Sequence, residues 1–282
     1  MLLKDEIIPL TWWNKTPNFG DLLSPYLVKK LTSKEVKLIP LKPGYKRNLI
    51  KKQLTKNTFS YLAIGSIISR TTNKSIIWGS GAFGTEDLKS INKNSTYVAV
   101  RGPLTRNLLR IHGVKDVPKV YGDPALLIPN VYNPKLEKKY KLGIILRWSE
   151  HEWNNTNFDP SIKKIYLGTD DIEGTLNDII SCEKILSSSL HGIILADAYG
   201  IPSAWLESNT PKGFEFKFYD YFLSVHKVQT PQNFNFLEDE MTLQKINNQV
   251  HFDDRKINFD SKALLNSCPF ISKDTAEEVF KI

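Results

Sequence analysis

Short apolar runs that end in glycine or a polar residue recur along this chain, separated by stretches with helical spacing, and this alternation leaves few folds open to it. Tyr61 to Gly65, Ser75 to Gly79, Thr96 to Val100 and Lys119 to Gly122 are such runs. Near-continuous apolarity over so few residues marks strands buried on both faces, as in parallel sheets covered by helices. Between them, Asp21 to Leu31 and Thr105 to Ile111 carry apolar residues at helical spacing. The pattern pauses at residues 132–141, where a proline stands among charged residues. It resumes with Lys141 to Trp148, Lys164 to Gly168, Lys184 to Ser187 and Pro202 to Glu207, interleaved with helices near Ile172 to Ile180 and Gly192 to Tyr199. The alternation predicts an α/β protein of two Rossmann-like doubly wound domains, residues 1–135 and 136–282, with the last helix packing back on the first. A length of 282 residues suits two such units. Open α/β sheets bind ligands beyond the carboxyl ends of their strands, so the site is expected in the cleft that the two domains face.

Charge and cysteine usage narrow the function classes. The apolar runs near the start are broken by Lys4, Asp5 and Glu6, and no later stretch has the roughly 20 apolar residues that cross a bilayer. A cytoplasmic protein is expected. Cys182 and Cys268 lack the spacing of a zinc or redox motif and are expected as free thiols, with no structural metal and no cofactor. The net charge of +8 is uneven: Lys42, Lys46, Arg47, Lys51, Lys52 and Lys56 fall in a stretch without a single acid. Such a stretch is either a solvated charged face or a contact with an anionic membrane or a diphosphate-bearing acceptor. No recognisable nucleic-acid module accompanies it, and none is expected to act here.

Ser187 to Pro202, SSSLHGIILADAYGIP, runs from a strand through three serines and a histidine into a helix. His191, Ser188, Ser189 and Gly192 stand where the unpaired N–H groups and the dipole of a helix start can face an anion. Simple capping by Ser188 or Ser189, with His191 packed against the helix, accounts for the same residues. In VAVRGPLTR, Arg101 leaves a strand end just before a helix and can grip a carboxylate or phosphate in two-pronged fashion; Arg106 lies within the helix and ranks below it. Asn18, Gly20 and Asp21 in NFGDLL form a turn before a helix, where Asp21 serves either as the cap or toward a ligand. GSGAFG at 79–84, with Gly81 at its centre, lines the cleft or forms a plain turn, and Asp123 before Pro124 reads as an Asx turn. Neither serine-hydrolase nor zinc motifs are present.

In order and spacing, NFGD at 18–21, AIGSIIS at 63–69, WGSG at 78–81, VRGPLTR at 100–106, YGDPALLIP at 121–129 and SSLHGIILADAYGIPSAW at 188–205 resemble the polysaccharide pyruvyltransferase family, and KGFEFKFYDYF at 212–222 extends the resemblance. It implies a GT-B-like fold and transfer of pyruvate from phosphoenolpyruvate to a hexose of a surface glycan or its lipid-linked precursor. A cyclic ketal forms and phosphate leaves. Carried over by motif, Arg101 would bind the donor's anionic groups and His191 would bind it or supply a proton; Ser188, Ser189 and Gly192 would complete the donor side, and Asn18, Gly20, Asp21 and Gly81 the acceptor side. Two positions depart from the family's pattern. Ser189 stands where many members have arginine, and Leu146-Arg147-Trp148 replaces a Pro-His-Tyr pattern, so Arg147 would restore a cation to the donor side. A GT-B glycosyltransferase using a nucleotide sugar held by Glu207, and a catalytically silent glycan-assembly partner, are the alternatives.

Overall fold

The computed structural model describes residues 7–40, 58–86, 88–147, 149–150, 157–208, 215–234 and 240–279. Strands β1 (Ile7–Leu10), β2 (Glu35–Leu38), β3 (Ser60–Leu62), β4 (Ser75–Trp78) and β5 (Thr96–Ala99) form a parallel sheet in the order β2-β1-β3-β4-β5. Helix α1 (Phe19–Thr32) follows β1, and α2 (Pro103–Ile111) follows β5. A second parallel sheet holds β6 (Leu142–Ile145), β8 (Ile162–Ile165), β9 (Ile185–Ser187) and β10 (Ser203–Trp205) in the order β10-β9-β6-β8. A two-residue strand β7 (Asn157–Phe158) pairs with β11 (Glu240–Met241) apart from it. The remaining helices are α3 (Ile172–Ile180), α4 (Leu190–Ala198), α5 (Phe216–Ser224), α6 (Leu243–Gln249), α7 (Ser261–Asn266) and α8 (Lys273–Val279). Each sheet reverses its strand order once, at β1/β3 and at β6/β9, and such switch points open a crevice at the strand ends. The architecture is the doubly wound α/β arrangement that the apolar runs foretold.

Most of these elements follow from local chemistry. In α1 the buried Phe19, Leu23, Leu27 and Leu31 recur every fourth residue along one stripe. Asn18 caps the helix, its Oδ1 accepting from the Gly20 N–H at 3.2 Å, and Ser33 in the left-handed region ends it. Pro103 occupies the first turn of α2, where its missing N–H costs nothing. Lys119 to Gly122 is a correction to the expected strands. Only Tyr121 bridges, to Val100, before Gly122 at φ +137° turns the chain away toward Asp123.

Two features fix how the sheets meet. The backbone N–H of Phe19 donates to the Leu167 carbonyl beyond β8 at 2.8 Å, while Tyr26 and Lys30 reach Glu173 of α3 at 2.9 and 3.0 Å. The start of α1 is thereby tied to the carboxyl end of the second sheet. From the other side, α7 and the turn after it return to the first sheet: Trp78 Nε1 donates to the Leu264 carbonyl at 2.8 Å, and Phe270 packs edge-on against Trp78 and Tyr61. One apolar cluster draws on both sheets, from Ile8 and Trp78 to Ile145 and Ile185.

Candidate active site

The carboxyl ends of β1, β3 and β4 and those of β6, β8 and β9 open on one cleft of about 480 Å³. The first sheet's side presents Trp13, Asn18, Asp21, Ser66, Arg70 and Phe83; the second presents Arg147, Ser189 and His191, and α5 adds Lys217.

His191 stands in the first turn of α4, and its ring lies directly against the first turn of α1. A Cβ at Gly20 would fall 2.2 Å from His191 Nδ1, so glycine is what admits the imidazole. Nε2 is secluded and has no hydrogen-bond partner among the described residues. Burial, then the nearby charges of Lys217 and Arg101, drive the His191 pKa down to about 3, so the ring is neutral.

Asp21 is not the cap of α1. The helix begins two residues earlier than its apolar pattern suggested, Asn18 takes the capping role, and Asp21 is left facing the cleft. Asn18 Nδ2 donates to Asp21 Oδ2 at 2.7 Å. Burial pushes the Asp21 carboxyl up to about 7, against the opposing influence of the Asn18 hydrogen bond and the Lys217 charge. Lys217, in the first turn of α5, is drawn down to about 7, chiefly by burial and then by Arg147 and Arg101. Its ammonium lies 5.4 Å from the centre of the Phe83 ring.

Arg101 sits behind the cleft wall rather than on it. Fully buried, it directs Nε and Nη2 to Asp220 Oδ2, both at 3.1 Å, Nη2 also to the Ala82 carbonyl at 2.6 Å, and Nη1 to Ser66 Oγ at 2.7 Å. Asp220 is equally engaged, receiving the Thr105 N–H at 2.8 Å and its hydroxyl at 2.6 Å. Two glycines make the room. A Cβ at Gly81 would fall 2.3 Å from the Arg101 guanidinium carbon, and one at Gly102 would fall 1.9 Å from the Asp220 carbonyl oxygen. Arg101 therefore reaches the cleft only through Ser66, and Gly81 lies behind the wall with it.

On the second sheet's side, Ser188 is buried and bonds Glu150 Oε2 at 2.5 Å, while accepting the Arg147 N–H at 2.9 Å. It shapes the loop that carries Arg147. Ser189 holds the capping position of α4, yet its side chain makes no capping bond and lines the cleft. Arg147 and Ser189, the two departures from the family pattern, thus converge on one space. Gly192 stays behind them, where a Cβ would strike Ser187 Oγ at 2.3 Å. Asp123 caps the 3-10 turn Pro124–Asn130 through the Ala125 N–H at 3.0 Å, Arg106 is turned to the Val117 carbonyl at 2.9 Å, and Glu207 bonds Asn233 at 3.2 Å; none of the three lines the cleft. Both cysteines are free and buried. The basic stretch from Lys42 to Lys56 lies outside the described residues, and among those described no helix is long and apolar enough to cross a membrane.

Residue-by-residue reading of the sequence overlooked Lys217, Arg70, Ser66 and Trp13, while of GSGAFG at 79–84 it is Phe83, not Gly81, that lines the cleft. Ser66 and Lys217 stand within two stretches quoted above, AIGSIIS and KGFEFKFYDYF, which was the available signal. The cleft's cations, Arg70, Arg147 and Lys217, face two acids, Asp21 and Glu86. Glu86 gives both carboxylate oxygens to the N–H groups of Phe83 and Gly84, and Arg70 and Arg147 are held below the usual arginine range by burial. Partly desolvated cations around a neutral imidazole form a receptor for an anion.

Comparison with known proteins places the chain in a family. The model of the family described as polysaccharide pyruvyl transferase matches residues 18–210, which span Asn18 and Asp21 through Arg147 to His191. An uncharacterized protein of Acanthamoeba polyphaga mimivirus is 29% identical over 238 residues, 80% of this chain and 76% of that protein. The succinoglycan biosynthesis protein ExoV of Rhizobium meliloti is 27% identical over 236 residues, 79% of this chain and 66% of its own length. Among solved structures, a functionally uncharacterized Klebsiella pneumoniae protein is similar with a TM-score of 0.46 at 15% identity, over 84% of this chain and 93% of its own. A UDP-GlcNAc 2-epimerase of Methanocaldococcus jannaschii is similar with a TM-score of 0.49 at 13% identity, over 98% of both chains. With the family's model spanning both sides of the cleft, the chain belongs to the polysaccharide pyruvyl transferase family.

Proposed function

We propose that this protein transfers the pyruvyl group of phosphoenolpyruvate to a hexose of a polysaccharide or its precursor, closing a cyclic ketal over two hydroxyls and releasing phosphate. The observation that carries the reading is the pairing of one anion-receptive cleft with the family that moves pyruvyl groups. Phosphoenolpyruvate offers a phosphate and a carboxylate on adjacent atoms. Arg147 and Lys217 supply charge for two such groups, and the first turn of α4, with Ser189 and His191, supplies N–H groups and the positive end of a helix dipole. Neutral His191 donates one hydrogen bond to the bound anion. Arg101 holds Ser66 in place and adds positive potential from behind. The opposite wall, with Trp13 and Phe83, offers apolar faces of the kind on which sugar rings stack.

Purified protein incubated with phosphoenolpyruvate and the oligosaccharide units of the native glycan tests this. Phosphate release that depends on acceptor, with a mass gain equal to pyruvate less water, is the expected result. Transfer of a sugar from a nucleotide donor instead, or no consumption of phosphoenolpyruvate with any acceptor, would overturn it. A lipid-diphosphate carrier for the acceptor, and contact with an anionic membrane at the inner face, extend the proposal and are tested by comparing lipid-linked with lipid-free acceptors.

A further inference from the structure

The cleft walls hold two carboxyl groups with different duties. Glu86 accepts the N–H groups of its own loop at both oxygens, so it is fixed in place and shapes the wall. Asp21 is held by one oxygen only: Asn18 Nδ2 fixes Oδ2 at 2.7 Å, and Oδ1 has no hydrogen-bond partner among the described residues. An acid oriented at one oxygen and open at the other has the geometry of a proton-transfer group with its orienting partner. Its placement adds to this. Gly20, the residue before it, bears against the His191 ring, so Asp21 enters the same space as the imidazole from the facing helix. The charged and titratable groups around it are Lys217 from α5, His191 from α4, Arg147 after β6, Arg70 after β3, and Glu86 after β4.

We propose that Asp21 is the proton-transfer residue of this cleft, protonating the methylene carbon of the donor and recovering a proton from the attacking hydroxyl. The inference rests on the donor reading above and deepens it. In the first step the Asp21 O–H bond breaks, a C–H bond forms at the methylene carbon, and its π electron pair leaves the adjacent carbon electrophilic. A sugar hydroxyl then adds through oxygen to that carbon and returns its proton to the Asp21 carboxylate. The carbon–oxygen bond to phosphate breaks with its electron pair, the second hydroxyl closes the ring, and its proton leaves on phosphate as hydrogen phosphate. No oxidant or reductant enters. His191, neutral and flanked by Lys217 and Arg101, binds the anion rather than serving as the acid. Burial supports the assignment of Asp21, since its carboxyl, at about 7, retains a proton through mildly acidic to neutral pH.

The test uses the full chain and compares wild type, Asp21→Asn and Asn18→Ser across pH. Wild-type kcat should fall as pH rises above about 7. Asp21→Asn should lower kcat roughly 100-fold or more while leaving the KM for phosphoenolpyruvate within a few-fold, and should abolish that limb. Asn18→Ser keeps an acceptor for the helix start but loses the donor to Asp21, so the limb should move to higher pH. Methyl deuteration from solvent should slow with kcat in Asp21→Asn. If wild type turns over and Asp21→Asn does so within threefold, or keeps the same alkaline limb, the inference fails while the donor reading stands. If wild type never consumes phosphoenolpyruvate, both fall.

Discussion

The imidazole of His191 rests against the bare Cα of Gly20, in space that a side chain at position 20 would have to occupy. Two helices from two different sheets meet at this point, and the meeting places Asp21 and His191 on one cleft. Glycine near the start of α1 carries a propensity cost of roughly 1 kcal/mol relative to alanine, so Gly20→Ala would help the isolated helix. In the folded protein its methyl would overlap Nδ1. We expect Gly20→Ala to displace the ring, weaken donor use at least tenfold, and leave the melting temperature within a few degrees of wild type. Saturation kinetics together with thermal unfolding measure both, and unchanged kinetics would show that the ring's position is not needed.

The pair Arg101 and Asp220 separates architecture from chemistry. Asp220→Ala strands a buried guanidinium, and losing one partner of a buried pair typically costs about 3–5 kcal/mol. Arg101→Lys keeps the charge but cannot serve Asp220, Ala82 and Ser66 together, so it should lower both stability and donor affinity. Chemical denaturation of the two variants beside Arg147→Lys provides the contrast. The Arg147 variant should lose donor affinity with little loss of stability.

The raised carboxyl of Asp21 has a consequence for stability. Its ordinary value of 3.8 becomes about 7 in the fold, so folding favours the protonated form. The contribution is fully present below pH 3.8 and is lost as pH rises through about 7. Asp21→Asn, which stays neutral, should therefore be more stable than wild type by at most about 4 kcal/mol at pH 8, and nearly equal to it at pH 4. Melting curves across this range measure the difference. A gap that does not widen with pH would mean that the carboxyl is not held protonated by its surroundings.

Much of the fold was legible because parallel strands buried on both faces leave an unmistakable apolar run, as at Leu142 to Ile145 and Ile185 to Ser187. Strands β1 and β2 were not. Ile7 to Leu10 is interrupted by Pro9, and Glu35 to Leu38 alternates exposed and half-buried residues at a sheet edge, so neither has the two-sided apolar signature. Lys119 to Gly122 had the apolar look but not the pairing. In the site, Ser189 and His191 could be named from their places at a strand end, and Arg147 only through the family resemblance, as a departure from its pattern. The withdrawal of Arg101 behind Ser66 could not, because its partner Asp220 lies 119 residues away and only the tertiary fold brings them together. Lys217 was hidden for the same reason: on its own helix it looks like any solvated lysine.

Lys217 also sets the proton balance of anion binding. Burial and the charges of Arg147 and Arg101 bring its ammonium down to about 7, so at pH 8 much of the empty protein carries it neutral. A bound anion adds negative charge beside the amine and restores the protonated form. Binding of phosphoenolpyruvate at pH 8 should then take up as many as two protons, one at Lys217 and one at Asp21, fewer at pH 6, and the apparent affinity should weaken as pH rises from 7 to 9. Calorimetry in two buffers of different ionisation enthalpy reads the uptake directly. Lys217→Met should remove about half of it and cost at least tenfold in affinity, the remainder belonging to Asp21, whose carboxyl the same anion favours in its neutral form; uptake unchanged in that variant would show that the amine is not a group that titrates on binding.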